Sequence, residues 1–206
     1  MPSFREHVDT LARWRRFPGR EWGDGGVALT FDDGPDPDCT PEVLDALEAA
    51  GARATFFLVG EQLLAHHELG SEVARRGHGV GLHGFHHVEG EERDGLLRGL
   101  DAIEAAAGSR PRIYRPPYGR VSEATRAACA ELGLELVYWS AWGCDWEDLA
   151  AERIVELVRR DLVDGAIVLL HDSARYGHRP SATATAQALS PILEAMATRG
   201  LEPRAL

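Results

Sequence analysis

Short apolar runs and segments with helical periodicity alternate along most of the chain. The apolar runs predict buried strands at 27–31, 54–59, 80–83, 113–115, 134–140 and 166–171, with a seventh at 201–204. The segments between them predict helices at 41–50, 61–76 with a break near Gly70, 93–107, 122–132, 149–163 and 183–199. Strands that alternate with helices indicate an α/β protein with a largely parallel sheet. Six or seven such repeats describe an incomplete barrel.

The helix at 41–50 has the clearest predicted boundaries. Thr40 is expected to be its N-cap residue, Pro41 suits the first helical position, and Gly51 follows the last turn. A chain of 206 residues fits a single domain with a full core. Residues 1–26 precede the repeats as an N-terminal extension. Their apolar positions follow helical spacing, so they predict a short amphipathic helix that packs on the barrel of residues 27–206.

The first polar stretch of interest follows the first apolar run, Val27–Leu29. It reads Thr30-Phe31-Asp32-Asp33-Gly34-Pro35, and it places two adjacent carboxylates where a strand enters a turn. Adjacent side chains on an extended chain point to opposite sides. One carboxylate can therefore hold a metal while the other faces a reacting water. Taken alone, the stretch is also an ordinary turn sequence.

Four further motifs follow in order, and the first of them contains two histidines at ligand spacing. His83 and His87 are four residues apart, which lets both imidazoles face one point. Two histidines and one carboxylate are a usual set of protein ligands for a catalytic zinc, with one position left for water. The other three motifs are Tyr114-Arg115-Pro116-Pro117-Tyr118-Gly119, Trp142-Gly143-Cys144-Asp145-Trp146 and Ile167-Val168-Leu169-Leu170-His171-Asp172.

With all five motifs in order, the chain resembles the polysaccharide deacetylases with a NodB-homology domain, carbohydrate esterase family 4. The resemblance runs from about Val27 to the C-terminus and implies a distorted (β/α)7 barrel in one domain. It also implies a metal-dependent hydrolase that removes the N-acetyl group from an amino sugar and releases acetate. The cofactor would be one divalent metal ion, zinc in the first place, with cobalt or nickel as alternatives.

The resemblance also assigns roles to particular residues. Asp33, His83 and His87 would bind the metal, Asp32 would be the general base, and His171 the general acid. Arg115 would hold Asp32, and Asp145 would orient His171. The backbone N–H of Tyr118 would help to stabilise the oxyanion. The acetyl methyl would contact Leu169 and Trp146, while Trp142 and Trp146, expected beyond a strand end, would stack on sugar faces.

Three positions depart from the family pattern. Gly84 stands where Ser or Thr usually follows the first metal histidine, so a hydroxyl that could stiffen this loop is missing. Val88 stands where Pro is usual, and Trp142 where the fourth motif usually has an earlier Asp. These departures bear on the choice of substrate more than on the type of reaction.

The amino-acid composition argues against several classes of binding partner. The formal charge is −11, from 22 basic and 33 acidic residues, which argues against nucleic acid or an anionic membrane surface. All the basic residues are Arg, so no lysine is present for Schiff-base chemistry. The first residues lack an apolar run of signal-peptide length, and no segment reaches the length of a transmembrane helix. The protein as written is therefore expected in the cytoplasm, and outside the cell only if the chain has been trimmed.

The remaining cysteines and histidines mostly favour structural interpretations. Cys39, Cys129 and Cys144 form no CxxC pair, so a disulfide framework or a structural zinc site is not expected, and Cys144 is interpreted as a packing residue rather than a metal ligand. Histidines 66, 67, 78 and 178 are predicted on the surface or in loops, and His86 is predicted to point away from the metal.

Two other functions stay open at this stage. One is ring-opening hydrolysis of a cyclic amide or imide, since a NodB-like branch carries out that reaction, often without the full metal set. The other is carbohydrate binding without catalysis. The presence of Asp33, His83 and His87 argues against the first, and the presence of Asp32 and His171 argues against the second.

Overall fold

In the computed structural model, which describes residues 26–206, parallel strands alternate with helices. The strands are β1 (Gly26–Asp32), β2 (Thr55–Leu58), β3 (Gly79–Leu82), β4 (Ile113–Tyr114), β5 (Glu135–Leu136), β6 (Ala141–Trp142), β7 (Ile167–His171) and β8 (Glu202–Arg204). The helices are α1 (Thr40–Ala49), α2 (Gly60–Ala65), α3 (His67–Arg75), α4 (Arg93–Ala107), α5 (Glu123–Leu132), α6 (Ala151–Arg160) and α7 (Thr183–Thr198). Pro117–Gly119 forms a short 3₁₀ turn.

The strands form one sheet in the order β5-β4-β3-β2-β1-β7-β6, and β8 pairs with the start of β1. Every pairing between these strands is parallel. All seven residues of β1 are buried, as its central position in the sheet requires. The helices cover the sheet, and the apolar side chains of both layers form the main core. The predicted α/β half-barrel fold in one domain is thus confirmed.

The predicted strand at 134–140 is wrong as a single element. Only its residues Glu135–Leu136 form a strand, β5; β6 begins just after it, at Ala141, and these two strands lie at opposite ends of the strand order. Only four residues, 137–140, connect them, so the sheet must curl until its two edges approach each other. Two carbonyls in this connection, those of Val137 and Tyr138, accept hydrogen bonds from the Arg115 guanidinium. The Arg115 side chain therefore bonds to the segment that joins the two edges of the sheet.

Two predictions about helices also need correction. Thr40 is not the N-cap of α1: Cys39 holds that position, and Thr40 is a buried residue whose hydroxyl donates to the Asp172 carboxylate at 2.6 Å. The helix predicted at 61–76 breaks at His66 rather than at Gly70, since His66 has non-helical backbone angles between α2 and α3. Most other ends agree within two or three residues, as helix termini usually do.

The proposed N-terminal helix lies outside the described residues, except that Gly26 belongs to β1. Within residues 26–206, no helix combines the length and the apolar character that a membrane crossing requires.

Candidate active site

The carboxyl ends of the parallel strands bring the motif residues to one edge of the sheet. Asp32 is the last residue of β1, and His83 follows the last residue of β3. Arg115 follows β4, and His171 ends β7, directly beside Asp32 in the strand register. In folds of this type, the carboxyl edge of the sheet is where ligands bind. The local reason is simple: each apolar strand must be buried, and the polar residues begin where the strand leaves the core.

Asp33, His83 and His87 form a compact group, and among residues 26–206 it is the one group of His, Cys, Asp or Glu side chains placed so that it could hold a metal ion. All three side chains are buried. Asp33 Oδ1 lies 3.3 Å from His83 Nε2 and 3.1 Å from His87 Nε2. Asp33 and His87 both have positive φ angles, of 82° and 52°, which turn their side chains out of the regular strand and loop paths.

The tautomer and the orientation of the histidine rings suit the binding of a metal cation. His83 Nδ1 lies 2.7 Å from the Arg115 carbonyl oxygen, so Nδ1 carries the hydrogen and donates it. The Nε2 lone pair of His83 is then directed at the cluster. Asp33 Oδ1 and His87 Nδ1 are buried polar atoms without a hydrogen-bond partner among the described residues. An unpaired buried carboxylate oxygen between two imidazole nitrogens fits a divalent metal ion.

The electrostatics of Asp33 agree with this interpretation. Burial by itself raises the pKa of the Asp33 carboxyl, but the adjacent His83 and His87 rings and the charge of His171 outweigh it, and the pKa falls well below its usual range. Asp33 is therefore ionised near neutral pH and can act as an anionic ligand.

Asp32 is held by a fully buried arginine. Arg115 Nη1 donates to Asp32 Oδ1 at 2.7 Å and to Thr30 Oγ1 at 2.7 Å. The guanidinium also lies over the Phe57 ring, 4.1 Å from its centroid. Together with the two carbonyl acceptors in residues 137–138, these contacts leave the arginine little freedom. The position of Asp32 relative to the metal group is thus determined by the core.

His171 is paired with Asp145 on the opposite side of the group. His171 Nδ1 and Asp145 Oδ1 are 2.9 Å apart, and the backbone N–H of His171 donates to Asp145 Oδ2, also at 2.9 Å. Burial alone would lower the pKa of His171. The charge and hydrogen bond of Asp145, with the charges of Asp33 and Asp32, instead raise it to about 9. His171 is therefore protonated near neutral pH and presents Nε2 as a proton donor.

Sequence reasoning missed two residues behind this pair. Arg179 Nη1 lies 3.4 Å from Asp145 Oδ2, and its Nη2 donates to the carbonyls of His171 and Ser173. Thr185 Oγ1 donates to Asp145 Oδ2 at 2.7 Å. Neither residue lies in a recognisable motif. The only signal for Arg179 is that it follows β7 on the loop that leaves the site.

Asp172, the residue after His171, was not assigned a role and is a buried carboxylate. It accepts from the backbone N–H of Gly34 at 3.1 Å and from Thr40. Burial raises its pKa to about 7 despite these hydrogen bonds. Asp172 thereby ties the turn after Asp33 to β7. A side chain at Gly34 would overlap Asp172, which explains why glycine occupies this position.

An apolar cluster lies beside His171. It contains Leu169 and Trp142, both buried, and the partly buried Trp146 packs against it with its ring 5.7 Å from the His171 ring, edge to face. Trp142 was expected beyond a strand end, and this is wrong: it belongs to β6 and is only 4% exposed. Strand pairing with β7 places its side chain in the cluster. Trp146 remains beside the site.

Two tyrosines flank His87. The Tyr118 ring meets the His87 ring edge to face at 4.9 Å, and Tyr118 is half exposed. Its backbone has a positive φ of 58° in the short turn after β4. On the other side, Tyr176 stacks flat on His87 with the ring centroids 3.8 Å apart. Tyr176 lies in the loop after β7, where the sequence carried no signal for it.

The structure also places the other histidines and the cysteines that the sequence analysis considered. His86 is exposed and contacts Glu61, so it points away from the metal group as predicted. His78 was predicted on the surface or in a loop; it lies in the loop before β3, but it is buried against Phe56, and burial lowers its pKa to about 4. All three cysteines are free and buried. Cys144 belongs to the apolar cluster, and burial raises its pKa to about 11, so it packs as a thiol.

Fold and site together define a hydrolase of the NodB type, and comparisons with known proteins agree. The profile of the polysaccharide deacetylase family matches residues 19–137. A chitooligosaccharide deacetylase from Bradyrhizobium sp. (strain ANU 289) is 38% identical in an alignment 201 residues long, which covers 91% of this chain and 92% of the relative. The chain belongs to the polysaccharide deacetylase family. It is accordingly a carbohydrate deacetylase.

Two solved structures are similar over nearly the whole chain. One is a peptidoglycan N-acetylglucosamine deacetylase, with a TM-score of 0.83 and 31% identity over 90% of this chain and 87% of the other. The second is a family 4 acetyl xylan esterase from Clostridium thermocellum in complex with a cobalt ion. It has a TM-score of 0.78 and 30% identity, and the match covers 87% of each chain.

Proposed function

We propose that this protein is a metal-dependent hydrolase that removes the N-acetyl group from an N-acetylglucosamine-type saccharide and releases acetate. The observation that carries the proposal is the buried group of Asp33, His83 and His87, with an unpaired Asp33 oxygen, between an aspartate and a protonated histidine. The named relatives that act on chitooligosaccharides and on peptidoglycan support this class of substrate.

We propose zinc as the metal held by Asp33, His83 and His87, with cobalt or nickel as alternatives. The two imidazoles and one carboxylate are ligands that suit zinc and leave coordination positions free for a reaction. The similar esterase that contains cobalt supports a first-row divalent ion. Such an ion, when bound, activates water by lowering its pKa from about 15.7 toward ~7 and polarises the amide carbonyl.

The protein residues then divide the proton transfers between them. Asp32 takes the proton from the attacking water, because its carboxylate lies next to the proposed metal ligands and is held there by Arg115. The backbone N–H of Tyr118 donates to the oxyanion that develops on the acetyl carbonyl. His171 gives its proton to the nitrogen as the C–N bond breaks, so an amine rather than an amide anion leaves. Acetate and a free amino sugar are the products.

The apolar cluster provides the contact for the acetyl group. Leu169 and Trp146 lie next to His171 and offer apolar surface for the methyl, which favours a small acyl group. Tyr118 is the exposed aromatic residue at this edge, and it can stack on the face of a sugar ring. Trp142, being buried, contributes to the wall behind Leu169 rather than to the sugar-binding surface.

A pair of aspartate variants tests the proposal. Asp33→Ala removes a metal ligand, so the purified protein should lose most of its zinc and its activity together. Asp32→Asn should keep the zinc, because Asp32 is held by Arg115 outside the ligand group, while acetate release falls by about 10² or more. The measurements are metal content by mass spectrometry and acetate release from N-acetylated oligosaccharides.

The outcomes separate the proposal from its alternatives. Equal zinc content in Asp33→Ala and the wild type, or full activity after chelation, would contradict it. Cyclic imides and acetylated xylan belong in the same substrate screen. Turnover of an imide without metal would favour the ring-opening reaction, and preference for an O-acetyl ester would change the substrate class while keeping the site.

A further inference from the structure

Glu91 is a buried carboxylate that contacts the loop between the two metal-binding histidines. It precedes α4 and is 4% exposed. Its Oε2 accepts the backbone N–H of Phe85 at 2.7 Å, and the backbone N–H of His86 also bonds to this carboxylate. Both donors lie between His83 and His87. A carboxylate removed from water in this way is costly unless such hydrogen bonds compensate for it.

Two glycines leave the space that the Glu91 carboxylate occupies. A Cβ atom at Gly84 would come closer than 3.0 Å to Oε2, and one at Gly95 would come equally close to Oε1. Gly84 also has a φ of +86°, in the region that favours glycine. Two separate features therefore require glycine at position 84. One is its left-handed backbone angle, and the other is the Glu91 carboxylate, which leaves no room for a side chain.

The backbone of Glu91 is itself anchored to another element. Thr125 Oγ1 donates to the Glu91 carbonyl at 2.9 Å, and Thr125 lies in the first turn of α5, where the Ser122 hydroxyl accepts its N–H at 3.0 Å. The carboxylate is thus fixed relative to the start of α5 as well as to α4. A rigid acceptor of this kind can impose a conformation on the loop that donates to it.

The histidine loop needs such a constraint. Both Gly84 and His87 adopt left-handed backbone angles, and for His87 this conformation is strained. The two backbone amides between these residues donate hydrogen bonds to the Glu91 carboxylate, and these bonds oppose relaxation of the loop. We propose that Glu91 is a positioning residue for the metal site: its carboxylate holds the 84–87 backbone so that His83 and His87 both direct Nε2 at Asp33. In this chain it takes the place of the hydroxyl that is missing at Gly84.

This inference rests on the proposed metal-dependent function, so its test measures zinc binding by the metal-free protein and not activity. The dissociation constant for zinc is obtained by competition with a chelating dye. Glu91→Ala should weaken zinc binding by about 10 to 100-fold, the usual effect of removing a group that orients metal ligands. Glu91→Gln keeps one carbonyl acceptor and should weaken it less. It also keeps the test valid if Glu91→Ala does not fold.

Glu89→Gln is the matched control. Glu89 lies two residues away on the same loop, but it is exposed and pairs with Arg120 at 2.7 Å. Its substitution should leave the zinc dissociation constant unchanged. Zinc binding by Glu91→Ala and Glu91→Gln that equals the wild type would overturn the inference, while the proposed function would stand. A wild-type protein that binds no zinc would overturn both.

A double-mutant cycle tests the contact between the two positions. Gly84→Ala introduces backbone strain whatever residue occupies position 91, but it overlaps the carboxylate only when Glu91 is present. The loss of zinc affinity caused by Gly84→Ala should therefore be smaller in the Glu91→Ala background. Strictly additive losses would mean that the two residues act independently and would contradict the proposed pairing.

Discussion

The two sides of the active site use the same residue types in opposite arrangements. On the Asp32 side, Arg115 bonds directly to the carboxylate that is expected to react, at 2.7 Å. On the His171 side, Arg179 lies behind Asp145, at 3.4 Å, and Asp145 orients the histidine. In the first case the aspartate is the proposed general base, and in the second it supports the proposed general acid.

Asp32 and Asp145 differ in how many carboxylate oxygens remain available to accept a proton. Both oxygens of Asp145 are occupied, one by the His171 ring and the other by the His171 N–H and Thr185. Asp32 has one oxygen held by Arg115, while its Oδ2 lies 3.8 Å from His83 Nε2, beyond hydrogen-bond distance. A carboxylate can accept a proton only at an oxygen that is not already committed. Asp32 and Asp145 are the same residue type. Their places in the hydrogen-bond network therefore separate the proposed base from the positioning residue.

The largest expected effect comes from removing the general acid. His171→Ala should lower kcat by about 10² to 10⁴, the usual contribution of a general acid, and should flatten the basic limb of the pH profile. Metal content should not change, because His171 lies outside the ligand group. His178→Ala is the control, since His178 is an exposed histidine on the same loop. Wild-type kcat in His171→Ala would remove His171 from the mechanism.

Arg115→Met should have the next largest effect. Loss of the guanidinium frees Asp32 to move, so kcat should fall by about 10 to 100-fold while KM changes much less. The unfolding free energy should also fall by about 3–5 kcal/mol, because Asp32 becomes a buried, unpaired charge. Arg76→Met is a suitable control, as Arg76 makes its ion pairs at the surface. A rise in KM alone would show that Arg115 contacts the substrate instead.

Thr185→Val tests the support behind His171 with a nearly isosteric change. It removes one donor to Asp145, which is expected to lower kcat by about threefold to tenfold, the net value of a typical single hydrogen bond. With less compensation of the Asp145 charge, the pKa of His171 should rise, and the basic limb should move to higher pH. Thr198→Val, at the exposed end of the same helix, should have neither effect. If the basic limb of the pH profile did not move in Thr185→Val, Thr185 would have only a structural role.

The smallest effect is the titration of His171 itself. In the metal-free protein, NMR should find its pKa raised to about 9, and zinc should lower it because a cation opposes the charges of Asp33 and Asp32. The stability that protonated His171 contributes is complete below the unfolded value of about 6.5 and is lost as the pH rises through 9. The stability difference between wild type and His171→Ala should shrink over that interval. A pKa near 6.5 in the metal-free protein would contradict the strong Asp145 pairing.

Motif spacing was sufficient to locate the reacting groups. Asp32, Asp33, His83 and His171 each come at the end of a buried apolar run, and in a parallel sheet the carboxyl ends of the strands share one edge. Their proximity therefore follows from the pattern once the strands are parallel. Most helix boundaries followed from the same periodicity. The exceptions are Thr40, whose hydroxyl bonds to a residue 132 positions away rather than to its own helix, and the helix break, which falls at His66 rather than at Gly70.

The sequence alone thus determined the fold class, the family and the residues at the metal group, because each is encoded in short runs that local rules can interpret. Only the tertiary structure showed which further residues lie behind them. Thr185 meets Asp145 across 40 residues, and Arg179 meets it across 34. Such contacts depend on how whole elements pack, and no local pattern records them. The burial of Trp142 and His78, the end of β5 at Leu136, and the bond of Glu91 to the histidine loop arise in the same way.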